Sequence, residues 1–277
     1  MPEEPKKLYL LDAYALIFRA YYAFIRNPRM NSKGMNTSAV FGFTNALVDV
    51  LNNYNPSHIA VAFDPPGGSF RVQDYAEYKA NRDETPEDIK RSVPYIKEII
   101  EGFNIPVFEE PGFEADDVIG TLAHQAAKEG FEVYMVTPDK DFAQLVTDKI
   151  KMHKPAKNGG KVEIWGIDEV KEKFQVDDPL QVIDILGMWG DSADNIPGIP
   201  GVGEKTAKKF IAEYKSIEGL LEHADELKGK MKDKVKDNAA QAILSKQLAT
   251  IRLDVPVKFD PEKLIIEAPD KEKLKSV

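Results

Sequence analysis

The sequence predicts an α/β fold: a mainly parallel central sheet with helices on both faces, followed by an all-helical lobe. Three observations carry this. Short runs of four to six apolar residues alternate with helical patterns over the first ~165 residues. The texture changes after ~170, where strand-like runs nearly vanish. At 277 residues, 43% hydrophobic, the chain is long enough to bury a core that serves both parts.

Four runs qualify as strands buried on both faces: residues 8–11, 59–63, 105–108 and 131–136. Between them lie the helical stretches 13–25, Ser38–Asn53, 86–102 and 114–128. Such alternation is the pattern of a parallel sheet with crossover helices. Two short β-like pieces, Ile150–Lys154 and 161–165, flank Asn158-Gly159-Gly160 and predict a hairpin at the sheet edge. The expected division is a core over 1–172, a helical lobe over 173–260, and a tail or linker over 261–277. The polar, basic and aromatic segment QDYAEYKANRDET (73–85) has no core-like periodicity. It reads as a mobile arch over a cleft, reaching to about residue 90, or equally as an ordinary surface loop.

Composition narrows the chemistry. There is no cysteine, so disulfides and cysteine-held zinc are excluded, and the four histidines are scattered. Any metal is expected on oxygen ligands, which suits hard cations. The net charge of −9 argues at first against nucleic acid, but basic residues gather at 71–91 and 205–236. No apolar run reaches ~18 residues, and the start, MPEEPKK, has no signal-peptide pattern. The expectation is a cytoplasmic protein with no membrane partner.

The positions of the acids matter more than their number. Asp12 ends the first strand (YLLD) and Asp64 the second (IAVAFD). Glu114, Asp116 and Asp117 open a helix after the third (PGFEADDVIG), and Asp139 and Asp141 follow the fourth (VYMVTPDKD). In an open parallel sheet all strand C-termini lie along one edge, where sites form. Like charges ~4 Å apart repel by ~4 kcal/mol at an effective dielectric of ~20, so these carboxylates need protons or divalent cations. Two cations held together are a known solution for in-line displacement at phosphate. One Asp at a strand end is ordinarily a helix cap or turn former. Four successive strand ends with acids favour the metal reading.

The chain resembles the 5′ nuclease domain of bacterial DNA polymerase I, within the flap-endonuclease superfamily. The matching stretches are LLDAYALIFRAYYA (10–23), VAFD (61–64), YKANR (78–82), TPEDI (85–89), GFEADDVIGTLA (112–123), TPDKDFAQLV (137–146) and GMWGDSADNIPGIPGVGEKTA (187–207). The resemblance covers roughly 7–260 and adds Asp191 and Asp194 to the acidic set. It implies Asp12, Asp64, Glu114 and Asp116 near one metal, and Asp139, Asp141 and Asp194 near another. Asp117 and Asp191 are implied in support. It also implies two Mg²⁺ ions with Mn²⁺ as substitute, 5′-phosphate products and a downstream polymerase domain. One departure is Asp12-Ala13-Tyr14, where many relatives have Asp-Gly.

GIPGVGEKTAKKF (198–210) reads as the turn of a helix-hairpin-helix. Gly198, Gly201 and Gly203 would let backbone approach a phosphate, with Lys205, Lys208 and Lys209 adding charge. The family implies duplex backbone and a K⁺ ion there. Arg19, Lys79 and Arg82 are the expected basic residues near the scissile phosphate, and Tyr75 and Tyr78 the candidates for stacking on unpaired bases. His124 and His153 read as structural. The expected partner is DNA with a 5′ flap, a nick or an RNA-primed 5′ end, bound by a monomer. The rivals are a metal-dependent phosphatase for small esters and a non-catalytic DNA-binding module.

Overall fold

The computed structural model describes residues 5–156 and 160–277. Strand β1 (Lys7–Asp12) is buried from Leu8 onward and pairs in parallel with β2 (His58–Ala62) on one side and β4 (Glu132–Val136) on the other. β3 (Val107–Phe108) adds beyond β2, and β5 (Ile150–Lys154) beyond β4, both parallel. β6 (Glu163–Trp165) closes the far edge antiparallel to β5, giving the order β3-β2-β1-β4-β5-β6. The expected edge hairpin is therefore formed by these two strands, while Asn158 and Gly159 of its turn lie outside the described residues. The strand expected over 105–108 shrinks to two residues, because Pro106 has no N–H to give a ladder.

Parallel neighbours need crossovers. α1 (Ala13–Ala23) and α2 (Ser38–Asn53) join β1 to β2; α3 (Phe70–Asp74) and α4 (Glu87–Gly102) join β2 to β3; α5 (Ala115–Lys128) joins β3 to β4. Alternate residues of β1 serve opposite faces. Leu8 and Leu10 pack with α5 residues such as Val118 and Leu122. Tyr9 and Leu11 pack with Leu16, Phe43 and Ile96 from α1, α2 and α4. Burial on both faces is why these strands read as unbroken apolar runs. The winding reverses direction between β1 and β4, so their C-terminal ends flank a crevice.

The rest is helical: α6 (Ile167–Phe174), α7 (Gln181–Trp189), α8 (Glu204–Tyr214), α9 (Ile217–Glu222), α10 (Lys230–Asp237) and α11 (Ala239–Ala249). One apolar cluster runs from Leu10 and Met135 in the sheet to Val182, Phe210 and Ala242 in these helices. The stretch expected as a linker instead folds back through α12 (Pro261–Leu264) and α13 (Lys271–Ser276). Leu264 is buried, Ile265 bridges to His58, and the Leu274 side chain fills the space beside Gly102 of α4. Apolar residues spaced through a charged tail provided the docking. Among the described residues no helix is long and apolar enough to cross a membrane.

Candidate active site

Each strand end delivers its acid to the crevice through ordinary local structure. Asp12 caps α1, accepting from Ala15 N at 3.2 Å, and its other oxygen accepts from Thr137 Oγ1 at 3.0 Å. Asp64, two residues past β2, accepts from Ala115 N at 2.7 Å and so ties that strand end to the start of α5. Asp139 caps the 3-10 turn Lys140–Leu145, accepting from Asp141 N at 3.0 Å. The loop before α8 brings in Asp191, which accepts from Ala193 N at 2.7 Å, and Asp194. Capping and clustering are thus the same residues performing two tasks.

The charges act on one another. Burial, then Asp64 and Asp139, push the Asp12 carboxyl up to about 7. Burial and then Asp139 push Asp141 up to about 7 as well. Burial and Asp117 hold Asp116 well above the usual carboxylate range. Four cations offset the remaining acids. Burial works to raise Glu114, but Lys79 and Arg71 outweigh it and hold it low. Lys79 bridges Glu114 and Asp194, Arg82 pairs with Asp194, and Lys140 donates to Asp191 at 2.9 Å. Lys79 reaches both acids from a left-handed backbone (φ 57°), with its N–H on Asp194 O at 2.9 Å.

Among the described residues no three His, Asp or Glu side chains are already gathered as a finished metal-binding group. The donor set nevertheless fits divalent cations. It is all oxygen, burial and then neighbouring carboxylates hold two members near neutral pKa, and Asp141 Oδ1 is buried without a hydrogen-bond partner, 3.5 Å from Lys140 Nζ.

Several expectations need correction. Asp117 has no capacity left for a metal. Both oxygens take Arg71 at 2.8 Å, and they also accept from Glu114 N at 3.1 Å and Arg252 N at 2.7 Å. Tyr78 is a core residue at 5% exposure with its hydroxyl turned to Glu114, so its ring cannot stack on a base. Tyr75 is half-buried against the same cluster. Arg19 donates to Ala156 O; burial alone shifts it, downward, with no carboxylate acting on it. Of the two readings of 73–85, mobile arch or surface loop, this conformation is the packed one: Asn81 donates to Ser192 O, and Asn195 to Glu77 O, both at 2.7 Å. The segment's missing periodicity reflects turns rather than detachment.

Sequence reasoning missed Arg71, Ser69, Thr137 and Lys140. Arg71 is the largest fully buried side chain, and besides Asp117 it donates to Leu248 O at 3.0 Å and Thr250 O at 2.9 Å. No linear signal pointed to a partner 46 positions away. Lys140 was visible, standing between the two acids of TPDKD.

The hairpin joins α7 to α8. Gly190 (φ 72°) and Gly198 (φ 64°) press together so closely that a Cβ on Gly190 would lie 2.4 Å from Ile196 O. Gly198 donates its N–H to Ser245 Oγ at 2.9 Å in a buried setting, so it is a packing residue and not free for phosphate. Gly201 (φ 82°) and Gly203 are exposed, and Lys234 Nζ hangs over Gly201. α8 begins at Gly203 with no side-chain cap, leaving first-turn N–H groups for an anion. Lys205 and Lys209 are exposed there, whereas Lys208 is bound to Glu204 and to Lys173 O.

Comparison with known proteins agrees with this architecture. Residues 7–175 match the N-terminal resolvase-like domain of 5′-3′ exonucleases, and residues 177–272 match their C-terminal SAM fold. The chain is 44% identical over 256 residues to DNA polymerase I of Bacillus subtilis (strain 168), covering 92% of this chain and 29% of that protein. It is 42% identical over 265 residues to DNA polymerase I of Mycobacterium tuberculosis (strain ATCC 25618 / H37Rv), covering 96% of this chain. The chain thus spans about 29% of the length of these relatives. The fold is shared with the bacteriophage T5 D15 flap endonuclease in a pseudo-enzyme-product complex with DNA and metal ions. There the TM-score is 0.70 at 23% identity, over 88% of this chain and 89% of that one.

Proposed function

The chain belongs to the 5′-3′ exonuclease family, and from that premise we propose that it is a structure-selective nuclease hydrolysing phosphodiester bonds at 5′ flaps, nicks and RNA-primed 5′ ends of DNA. One observation carries the reading: the loop that delivers Asp191 and Asp194 to the strand-end acids continues directly into the hairpin and α8. The element offered to duplex backbone therefore fixes the distance from that grip to the site of cutting.

Asp12, Asp64, Asp116, Asp139 and Asp141, with Glu114, Asp191 and Asp194 beside them, would hold two divalent cations. Mg²⁺ is the natural choice and Mn²⁺ its substitute, and when bound they supply acidified water and charge neutralisation at the phosphate. The chain's own residues do the rest. Lys79 and Arg82 keep positive charge at the crevice mouth, where it draws a phosphate and stabilises charge developing on it. Thr137 and the backbone N–H groups of Ala15 and Ala115 fix the orientation of Asp12 and Asp64. The open N-terminus of α8, with Lys205 and Lys209, takes duplex phosphates without reading sequence. Asp117 acts through Arg71, holding the first turn of α5 and hence Asp116 in place. In this reading the protein works as a monomer in replication and repair, alongside the polymerase activity named for its relatives.

The test is digestion of a 5′-labelled flap duplex with Mg²⁺, Mn²⁺ or EDTA, mapped to single nucleotides. Cutting near the flap base, a 3′-hydroxyl on the released labelled flap with the 5′-phosphate left on the paired downstream strand, and no product in EDTA are expected. Turnover of p-nitrophenyl phosphate with the flap left intact would overturn the reading in favour of a small-ester phosphatase.

A further inference from the structure

A cavity of about 380 Å³ opens between β6, α6, the end of α7 and the first turn of α8. The chain has two tryptophans, and both line it: Trp165 from the edge strand and Trp189 from the last turn of α7. Phe174 backs Trp189 with ring centroids 6.4 Å apart, while both indoles keep part of their surface open. Two more lining residues, Lys140 and Asp191, also belong to the acidic crevice, so cavity and crevice adjoin. At the outer rim Lys173 is exposed and forms no salt bridge among the described residues.

We propose that this cavity receives one unpaired base of the DNA strand being cut, stacked against the indoles, with an adjoining phosphate at Lys173. The inference rests on the nuclease reading above. Flat aromatic walls with a mixed polar rim suit any base, because every base offers a π face and stacking is tolerant of sequence. The volume lies in the range of sites for small ligands, so it takes a nucleotide and excludes a folded partner. Position decides the strand. A phosphate drawn to Lys140, which stands in both crevice and cavity, leaves its neighbouring nucleotide at the cavity mouth, between the cutting site and the duplex grip. Tyr78, in the packed segment, is too enclosed to take this part.

Because both tryptophans line the cavity, intrinsic fluorescence reports on it directly. The full chain is stripped with EDTA and titrated with three duplexes: one with a one-nucleotide 5′ flap, one with an abasic residue as flap, and one blunt. Saturable quenching by the base-bearing flap, well beyond that by the other two, is expected. Trp165→Leu should weaken flap binding about tenfold and leave blunt-duplex binding unchanged. Lys173→Glu, on the exposed rim, gives the same contrast should Trp165→Leu fail to fold. Equal quenching by base-bearing and abasic flaps overturns the proposal, as does flap affinity unchanged in both variants. Cleavage of the same flap in Mg²⁺ separates the two readings. If wild type does not cut, the nuclease reading falls; if it cuts without base-dependent quenching, the cavity assignment alone falls.

Discussion

Replacing Arg71 with Met should destabilise the protein by about 4 kcal/mol, although the residue lies outside the acidic set. Arg71 is 1% exposed and forms two parallel 2.8 Å bonds with Asp117, which is fully buried. Met keeps much of the volume and removes five donors. Asp117 then retains Glu114 N and Arg252 N but no countercharge, and the Leu248 and Thr250 carbonyls lose their donors. Breaking a buried pair from one side typically costs about 3–5 kcal/mol, a large share of the ~5–15 kcal/mol that holds a domain folded. Urea unfolding at neutral pH measures it, with an unchanged m-value as the sign that the unfolded state is the same. The companion is Arg71→Met with Asp117→Asn, which removes the stranded charge and keeps an acceptor for one of the two N–H groups. The pair should couple by about 2 kcal/mol or more, so the double variant is far less damaged than the sum. A loss under about 1 kcal/mol for Arg71→Met, or an additive cycle, would refute the account. Cleavage should fall with stability, since the same contact sets the first turn of α5 and Asp116.

Four further outcomes are expected. Asp141→Asn should lower Mg²⁺-dependent flap cleavage at least about a hundredfold while flap binding in Ca²⁺ stays within a few-fold; unchanged cleavage removes Asp141 from the metal site. In EDTA, Asp12 and Asp141 hold protons to about pH 7 when folded but not when unfolded, so stability falls as pH rises through their folded pKa. Between pH 6.5 and 8 the two together predict a loss on the order of 1 kcal/mol, partly offset at the lower end by His153, which is neutral when folded (pKa about 4) but still sheds its proton when unfolded. Thermal melts check it, Mg²⁺ should reduce the slope, and a rise in stability across that window contradicts it. Gly190→Ala meets both a left-handed φ and Ile196 O at 2.4 Å, so a loss of about 2–4 kcal/mol is expected in urea unfolding. Lys205→Ala with Lys209→Ala should reduce the salt dependence of duplex binding by up to about two units of log–log slope, with cleavage at saturating DNA preserved.

The strands, the crossover helices and the acid at each strand end were legible because they depend on local regularities. An apolar run between turns has few alternatives, and an acid that caps the following helix is tied to the strand end by sequence. Asp12, Asp64, Asp139 and Asp141 could therefore be assigned to one sheet edge before any coordinates. Asp117 shows where such reasoning stops. It shares its motif with Asp116, yet one residue of helix rotation turns it from the crevice toward Arg71. Tyr78 stops it differently: surrounded by polar residues, it is buried by the loop at 191–195, which a local window cannot see.

By itself the sequence determined which residues end strands, which glycines permit a close turn, and that the groups gathered at the strand ends would be carboxylates. Tertiary structure alone decided which charges meet. Arg71 finds Asp117 across 46 positions, Lys140 finds Asp191 across 51, and Arg82 finds Asp194 across 112. It also brought both tryptophans to one cavity beside the crevice. The physical reason is range. Periodicity and capping act over one or two turns of chain, so they are written in neighbouring residues. A charge pair or a cavity depends on the path of every loop between its walls, and that path is fixed only when the sheet and helices have packed.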